Sequence, residues 1–307
     1  MTRLDKNQYL NQILQTVKNL DKNHYNKLKK NISGFDKDYY TESELFYKKY
    51  NNYLDRVRKT FDFAIQSYLK VVKDMKYETI KFLRTGQYSS QSFSDVNKKV
   101  YDNPEVMDYL LNGLILSQFL WIQHYETYKF FNQQISRRFK SVKNYLEVGA
   151  GHGLFLSKFL EKSDSLKTCL CIDISPTSID FAKNFIQDDR VDYICKDIFS
   201  FKPTFKFDFI TMGEVLEHVE NPKALLEKLK DFLSINGQAF ITTPTNAPSI
   251  DHIYLFKNIN EIQSLIKESG FEIIQENIVC SEDASIDEIK IKKISEMYSA
   301  LIQIRKP

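Results

Sequence analysis

Apolar residues in the first half of the chain recur at helical spacing. In one segment they fall three or four positions apart, at Phe61, Ile65, Tyr68, Leu69 and Val72. That spacing places them on one face of a helix. Residues 1–143 also hold a single proline, Pro104, and few glycines, so little interrupts helix formation. We therefore predict an all-helical N-terminal domain over residues 1–140.

Beyond this region the pattern changes to short apolar runs that alternate with helix-compatible segments. The runs predict strands over 145–148, 166–173, 191–195, 207–212, 238–242, 271–280 and 300–305. Intervening helices are predicted over 154–160, after the pair Ser175-Pro176, over 260–269 and over 287–297. Regular alternation of strand and helix favours a doubly wound, Rossmann-like α/β domain over residues 141–307.

The most informative motif is a glycine-rich turn between the first strand and the first helix of this domain. It reads E-x-G-x-G-x-G and comprises Glu147, Gly149, Gly151 and Gly153. Glycines let the backbone turn tightly and approach a ligand closely. The dinucleotide fingerprint has the different spacing G-x-G-x-x-G, so the motif indicates another nucleotide-like cofactor.

Two further acids follow strands, at the positions where a cofactor would lie. Asp173 ends the second strand, 20 residues after Gly153. A carboxylate there can accept hydrogen bonds from both hydroxyls of a ribose. Asp197 follows the third strand, and the fourth ends at Met212.

These motifs, in this order, resemble those of the class I S-adenosylmethionine (SAM) methyltransferases. The resemblance implies a seven-stranded sheet whose last strand is antiparallel, and SAM as the cofactor. Glu147 would then complement the sulfonium and ammonium groups, and Asp197 would meet the adenine amino group. The other expected cofactor contacts are Gly149, Gly151, Gly153, Asp173, Ile174, Ile198, Met212 and Tyr101.

A second constellation follows the fourth and fifth strands. Glu214, Glu217 and His218 would share one face if their turn is helical, and His252 lies past the fifth strand. Together these four side chains could bind a divalent cation, Mg²⁺ or Mn²⁺. The pattern resembles the E-x-x-E-H segment with a distal histidine in small-RNA 2′-O-methyltransferases and ubiquinone-pathway O-methyltransferases.

Several other roles are open for these side chains. His252 could be a metal-free general base or a substrate contact, and Glu214 could simply lie near the cofactor. His124, on an aromatic helix expected over the cofactor site, is a third catalytic candidate beside His252 and Glu214. His24 lies in a lysine- and asparagine-rich helix, and we expect it to be solvated.

Charge is distributed unevenly along the 307 residues. Residues 1–143 carry a net charge of +10 and the remainder −7. The basic half is either a solvated helical surface or an attractor of an anionic partner. Its basic residues are mostly scattered lysines without an aromatic platform, which makes nucleic acid an unfavoured partner.

We therefore predict a methyltransferase of a biosynthetic pathway, acting on oxygen or nitrogen of a small-molecule acceptor. The helical domain over residues 1–140 would cap the methyltransferase domain and recognise this substrate. The alternatives are an RNA 2′-O-methyltransferase and a non-catalytic SAM-binding protein. A homodimer through the helical domain is a further possibility. No long apolar run or leader is evident, so we expect no membrane association, and four cysteines without a CxxC pair are typical of a cytoplasmic protein.

Overall fold

The computed structural model describes residues 7–136, 141–282 and 284–306. Its N-terminal part is helical, as predicted, and the predicted domain boundary at residue 140 lies outside the described residues. The helices are α1 (Gln8–Leu20), α2 (Lys22–Ser33), α3 (Lys37–Arg56), α4 (Phe61–Thr85), α5 (Phe93–Val96), α6 (Pro104–Ser117) and α7 (Ile122–Ser136). A π-helical turn, Asn97–Tyr101, connects α5 to α6.

The predicted apolar stripe of α4 faces the interior. Phe61, Ile65, Tyr68 and Val72 are buried, while Leu69 is partly buried. Thr60 accepts a hydrogen bond from the Phe63 N–H at the start of this helix, and Gly86, at φ +73°, ends it.

The second part of the chain alternates strands and helices. The strands are β1 (Asn144–Val148), β2 (Thr168–Asp173), β3 (Val191–Cys195), β4 (Phe207–Gly213), β5 (Leu233–Pro244), β6 (Phe271–Cys280) and β7 (Glu296–Ile304). The helices are α8 (Leu154–Leu160), α9 (Pro176–Ile186), α10 (Pro222–Phe232), α11 (Ile259–Glu268) and α12 (Ile286–Lys292). Ser175 caps α9, as its sequence predicts, by accepting a hydrogen bond from the Ser178 N–H.

The strands form one sheet in the order β3-β2-β1-β4-β5-β7-β6. All neighbouring pairs are parallel except those that involve β7, which runs antiparallel between β5 and β6. This confirms the predicted Rossmann-like sheet with an antiparallel last strand. Parallel strands point their carboxyl ends to one edge of the sheet, where ligands of this fold class bind.

One C-terminal prediction is wrong. The helix predicted over 287–297 ends at Lys292, because Lys293 adopts the left-handed conformation, with φ +51°. The chain from Glu296 onward then pairs with β5 and β6. Sheet pairing therefore takes over residues that helical spacing alone assigned to α12.

The helical part and the sheet domain share a hydrophobic core. Tyr53 of α3 packs on Phe181 of α9, with ring centroids 4.5 Å apart. Phe185 and Leu154 belong to the same buried cluster as the apolar residues of α1, α3, α4 and α6. The Lys49 ammonium also donates a hydrogen bond to the Ser157 hydroxyl at 2.5 Å. The helical part is thus anchored on the two helices that follow β1 and β2.

None of the helices within the described ranges is both long enough and apolar enough to cross a membrane.

Candidate active site

A cavity of about 1170 Å³ lies at the carboxyl edge of the sheet. Its lining combines the glycine-rich turn after β1 with the ends of β2, β4 and β5. Helices α2, α4, α6 and α7 contribute the opposite walls. Typical ligand cavities measure about 300–1,000 Å³, so this one has room for a cofactor and a second molecule.

The glycine-rich turn has the backbone conformation that its sequence predicts. Gly149 and Gly151 adopt φ values of +72° and +46°, in the left-handed region that favours glycine. A Cβ at Gly149 would lie 2.5 Å from Val215 Cγ2, whereas one at Gly151 meets no described atom within 4 Å. Gly149 is therefore required for packing, while Gly151 borders the cavity.

The acid at the end of β2 stabilises this turn. Asp173 accepts hydrogen bonds from the Gly151 N–H at 3.2 Å and from the Ser175 N–H at 2.8 Å. Burial raises the pKa of Asp173, and the surrounding backbone N–H groups partly offset that effect.

Most of the other predicted cofactor contacts also line the cavity. They are Gly149, Glu147, Tyr101, Ile174, Asp197 and Ile198. Two predicted contacts do not line the cavity. The Met212 side chain is fully buried in the core of the sheet domain, and the following residue, Gly213, borders the cavity instead. Gly153 packs against α9, where a Cβ would lie 2.8 Å from Ile186 Cδ1. The Asp197 side chain accepts a hydrogen bond from the Phe199 N–H at 2.9 Å, which positions it at the start of a short 3₁₀ turn.

Side chains of β1 and β4 hold the Glu147 carboxylate in place. One of its carboxylate oxygens accepts hydrogen bonds from the hydroxyls of Tyr145 and Thr211. Burial raises the pKa of Glu147 to about 8, although these two hydrogen bonds oppose the shift. The group is therefore poised to ionise when a cationic ligand lies above it.

Glu214 projects into the cavity from a strained position. It follows β4 at φ +52°, and its N–H donates to the Thr242 carbonyl at 3.0 Å. Glu214 Oε1 lies 3.8 Å from His124 Nε2 of α7, across the cavity. Burial, reinforced by the charge of Glu217, raises the pKa of Glu214 to about 8.

His124 is oriented by the helical part of the chain. Its Nδ1 lies 2.9 Å from the Ser117 hydroxyl and 3.2 Å from Gln118 Nε2. Burial lowers the pKa of His124 to about 3, so the ring is neutral at pH 7.

Three of the four predicted metal ligands come together. Possible ligand atoms of Glu217, His218 and His252 all lie within 4.8 Å of one another. Glu214 does not join this group, because its positive φ takes it out of the short 3₁₀ turn Leu216–His218. The condition for a shared helical face is therefore not met at Glu214.

The two imidazoles of this cluster are held through Nδ1. His252 Nδ1 lies 2.5 Å from the Ala247 carbonyl oxygen, and His218 Nδ1 lies 3.1 Å from that of Asp251. Both Nε2 atoms remain available to the cluster. Glu217 Oε2 accepts a hydrogen bond from the Thr243 hydroxyl at 2.8 Å, but buried Oε1 has no hydrogen-bond partner among the described residues.

Opposing effects set the charges of the cluster. Burial lowers the pKa of His218, but the carboxylates of Asp251 and Glu217 outweigh it and the pKa rises. Burial and the neighbouring His218 lower the pKa of His252 to about 4. Burial raises the pKa of Glu217 despite the nearby His218.

Sequence reasoning missed several side chains of this site. Asp251 and Thr243 support the cluster, and both could have been suspected because they adjoin His252 and the end of β5. His152, inside the glycine-rich turn, lines the cavity and accepts the Leu154 N–H at 3.3 Å. His24 is buried and also lines the cavity, so the expectation that it is solvated is wrong.

The model of the methyltransferase domain family matches residues 122–276, about half of the chain. The chain belongs to this methyltransferase family. The match begins at the start of α7 and covers the glycine-rich turn, Asp173, Asp197 and the Glu217 cluster. It therefore includes the part of the cavity that the sheet domain forms. This confirms the resemblance to class I SAM-dependent methyltransferases that the motifs carry.

Curated methyltransferases match part of the chain. A ubiquinone biosynthesis O-methyltransferase of Coxiella burnetii is 36% identical over 118 residues, which cover 38% of this chain and 48% of the relative. A malonyl-[acyl-carrier protein] O-methyltransferase of Ilyobacter polytropus is 30% identical over 105 residues, or 34% of this chain and 39% of the relative. The chain thus spans less than half the length of these relatives.

Solved methyltransferase structures share the fold. The N-methyltransferase NodS of Bradyrhizobium japonicum, in complex with S-adenosylhomocysteine (SAH), superposes with a TM-score of 0.51 at 18% identity, covering 67% of this chain and all of NodS. The mitomycin 7-O-methyltransferase MmcR gives a TM-score of 0.53 at 12% identity, covering 76% of this chain and 68% of MmcR.

Proposed function

We propose that the protein transfers the methyl group of SAM to a hydroxyl oxygen of a small-molecule acceptor. The observation that carries the proposal is the Glu217, His218 and His252 cluster, two of whose members line the same cavity as the glycine-rich turn. The names of the two curated relatives, both O-methyltransferases, support oxygen over nitrogen.

The roles of the residues follow from the chemistry of methyl transfer. A sulfonium methyl group is already activated, so the protein must align the nucleophile, exclude water and remove the hydroxyl proton. Asp173 and the glycine-rich turn hold the cofactor. Glu214 in its ionised form accepts the proton from the acceptor hydroxyl, since it lines the cavity and its pKa, raised to about 8, makes the carboxylate a stronger base than usual. His124 positions Glu214 from the opposite wall.

We further propose that the cluster holds a divalent cation. The buried Glu217 Oε1 lacks a partner among the described residues, and both imidazoles are oriented through Nδ1, as metal-bound histidines commonly are. Two nitrogen donors and one oxygen donor favour Mn²⁺ or another transition ion over Mg²⁺. Such an ion supplies Lewis acidity that lowers the pKa of the acceptor hydroxyl.

A small acceptor agrees with a cavity that is walled on several sides by helices. The site gives no support to an RNA acceptor or to a purely SAM-binding role. The homodimer, the division at residue 140 and the cytoplasmic location stay predictions.

The decisive experiment measures methylation of catechol, a simple aromatic diol, after treatment with EDTA and again after addition of Mn²⁺ or Mg²⁺. We expect activity to require the cation and to be lost in Glu217→Gln, while SAH binding measured by calorimetry is unchanged. Exposed Glu227→Gln is the matched control. Methylation that is indifferent to EDTA would refute the cation, and methylation of amines alone would refute oxygen as the acceptor atom.

A further inference from the structure

The cavity continues beyond the reaction centre, which we place between Glu214 and the glycine-rich turn, into the helical part of the chain. Its walls there are apolar and come from three helices: Leu28 of α2, Val71, Val72 and Met75 of α4, and Leu110, Leu111 and Leu114 of α6. An apolar extension of this kind accommodates an apolar body, because burying such a group in it removes apolar surface from water.

Polar residues also line this region, among them His24, Asn31 and Thr79, and of these three only His24 is buried. It lies one helical turn before Leu28, so both residues share the inner face of α2. Its side chain is 8% exposed and lines the cavity. The nearby cations Lys27 and Lys76 are paired with Glu282 and Asp21, at 2.6 Å and 2.7 Å. The polar group presented to the apolar region is therefore an imidazole rather than a free positive charge.

Neighbouring side chains fix the His24 ring and its tautomer. His24 Nε2 lies 2.6 Å from the Tyr68 hydroxyl, which accepts a hydrogen bond from the indole N–H of Trp121 at 2.9 Å. Among the described residues, His24 Nε2 is the only acceptor for the Tyr68 O–H. This arrangement favours the tautomer in which Nε2 accepts the Tyr68 O–H and the proton of the neutral ring resides on Nδ1.

The neutral state and the free donor have independent support. Burial lowers the pKa of His24 to about 4, so the ring is uncharged at pH 7. Within the described part of the chain, His24 Nδ1 makes no hydrogen bond. Because His24 lines the cavity, its Nδ1 can donate to an acceptor atom of a ligand bound there.

His24 is connected to the reaction centre along one wall. The Trp121 ring, whose N–H reaches Tyr68, packs on His124 with centroids 4.9 Å apart. His124 in turn faces Glu214. A molecule that follows this wall passes from the proposed proton acceptor, over apolar side chains, to the His24 donor.

We propose that the acceptor substrate is elongated, with an apolar body that packs against α2, α4 and α6 and a carbonyl oxygen that accepts a hydrogen bond from His24 Nδ1. The inference rests on the proposed function for the position of the reacting hydroxyl. The His24 end is a separate specificity determinant, which can be tested without turnover.

The test uses Trp121, the single tryptophan of the sequence, as a fluorescence reporter. The SAH-loaded protein is titrated with medium-chain methyl ketones and with the alkenes in which a methylene group replaces the carbonyl oxygen. One neutral hydrogen bond predicts about two- to tenfold tighter binding of the ketone. His24→Leu should remove this preference and leave alkene binding unchanged. His24→Asn, which retains an N–H donor near Nδ1, should keep it.

Three results would overturn the inference: neither probe binds the wild-type protein, both bind equally, or His24→Leu retains the ketone preference. Tyr68→Phe is the second variant, in case His24→Leu does not fold. It removes the hydroxyl that orients the imidazole, and we expect it to reduce the preference. Catechol methylation, measured in parallel, reports on the proposed function alone. Active protein without ketone preference refutes only the role of His24, whereas ketone preference without methylation of any hydroxyl refutes only the proposed reaction.

Discussion

The Tyr101 hydroxyl lies 2.8 Å from His218 Nδ1, and it joins the helical part of the chain to the cluster at the end of β4. The backbone carbonyl of Tyr101 also accepts a hydrogen bond from the Ser175 hydroxyl at 3.0 Å. One residue therefore contacts both the loop after β2, on the cofactor side, and a proposed metal ligand.

Tyr101→Phe tests which of these two connections matters for catalysis. Losing one neutral hydrogen bond to His218 should lower acceptor turnover about two- to tenfold. SAH affinity should not change, because the phenyl ring and the backbone contact remain. Calorimetry and steady-state rates measure the two effects. An equal loss of SAH affinity would show that the hydroxyl binds the cofactor instead.

Asp173→Ala should weaken SAH binding about tenfold to a hundredfold, because a hydrogen bond to a charged group contributes about 1.5–3 kcal/mol. The substitution also removes the acceptor for the Gly151 and Ser175 N–H groups, so the melting temperature should be recorded alongside. Asp173→Asn keeps the shape of the side chain, so its SAH affinity should lie between those of the wild-type protein and Asp173→Ala. Unchanged affinity in the alanine variant contradicts a ribose contact.

Gly149→Ala and Gly151→Ala form a matched pair at positive φ. In both, a non-glycine left-handed residue costs about 1–2 kcal/mol. Gly149→Ala adds a clash with Val215 and should lower the melting temperature markedly. Gly151→Ala has open space and should fold, but its methyl group faces the cofactor and should weaken SAH binding about tenfold, as moderate overpacking does. If both variants lose melting temperature and SAH affinity to the same extent, Gly149 and Gly151 do not have the separate roles in packing and cofactor binding that we assign to them.

Glu147 should make stability depend on pH. Its pKa is raised from 4.5 in the unfolded chain to about 8 in the folded one, by burial. Between these values the unfolded state has released a proton that the native state retains, so rising pH favours unfolding. The stabilisation is fully present below pH 4.5 and is lost as the pH rises through about 8.

The measurement is the melting temperature of the ligand-free protein against pH, compared with Glu147→Gln. Relative to that variant, the wild-type protein should lose stability as the pH increases, and the Glu227→Gln control should follow the wild type. A constant difference would mean that Glu147 ionises normally.

His252→Ala should reduce methyl transfer to catechol by at least about a hundredfold, since even residues that only support metal ligands affect activity about 10–100-fold. SAH binding should be retained. His152→Ala is a useful comparison, because His152 lies in the glycine-rich turn and its loss should act on the cofactor instead. Full activity in His252→Ala would eliminate both a metal and a general-base role for this residue.

Local sequence was sufficient to predict the sheet and the cofactor turn. The glycine spacing and the acids at the ends of β2 and β3, Asp173 and Asp197, can be read from neighbouring residues. Parallel strands bring these positions to one edge of the sheet, whatever the conformation of the connecting loops. Strand β7 was also predicted from local sequence, but it begins at Glu296 instead of residue 300. Its pairing with β5 and β6 outweighs the helical spacing before residue 297.

Relations across the chain were harder to foresee. His124 and Glu214 were both expected in the site, but nothing in either segment indicates that they meet. The helical turn after β4 begins only at Leu216, and a positive φ at Glu214, which the sequence does not indicate, separates this residue from Glu217. His24 was assigned to solvent because lysines and asparagines surround it in sequence, although its spacing from Leu28 puts it on the buried face.

The packing of Tyr53 on Phe181 limits how ligands can exchange. Because Leu154 and Phe185 belong to the buried cluster of the helical part, hinging that part away would expose apolar surface on α8 and α9. We therefore expect entry and release to depend on local opening of α2, which buries few residues, rather than on rigid-body opening. Hydrogen exchange should be faster in α2 than in α3 and α4, and product release should limit the rate of turnover for long acceptors.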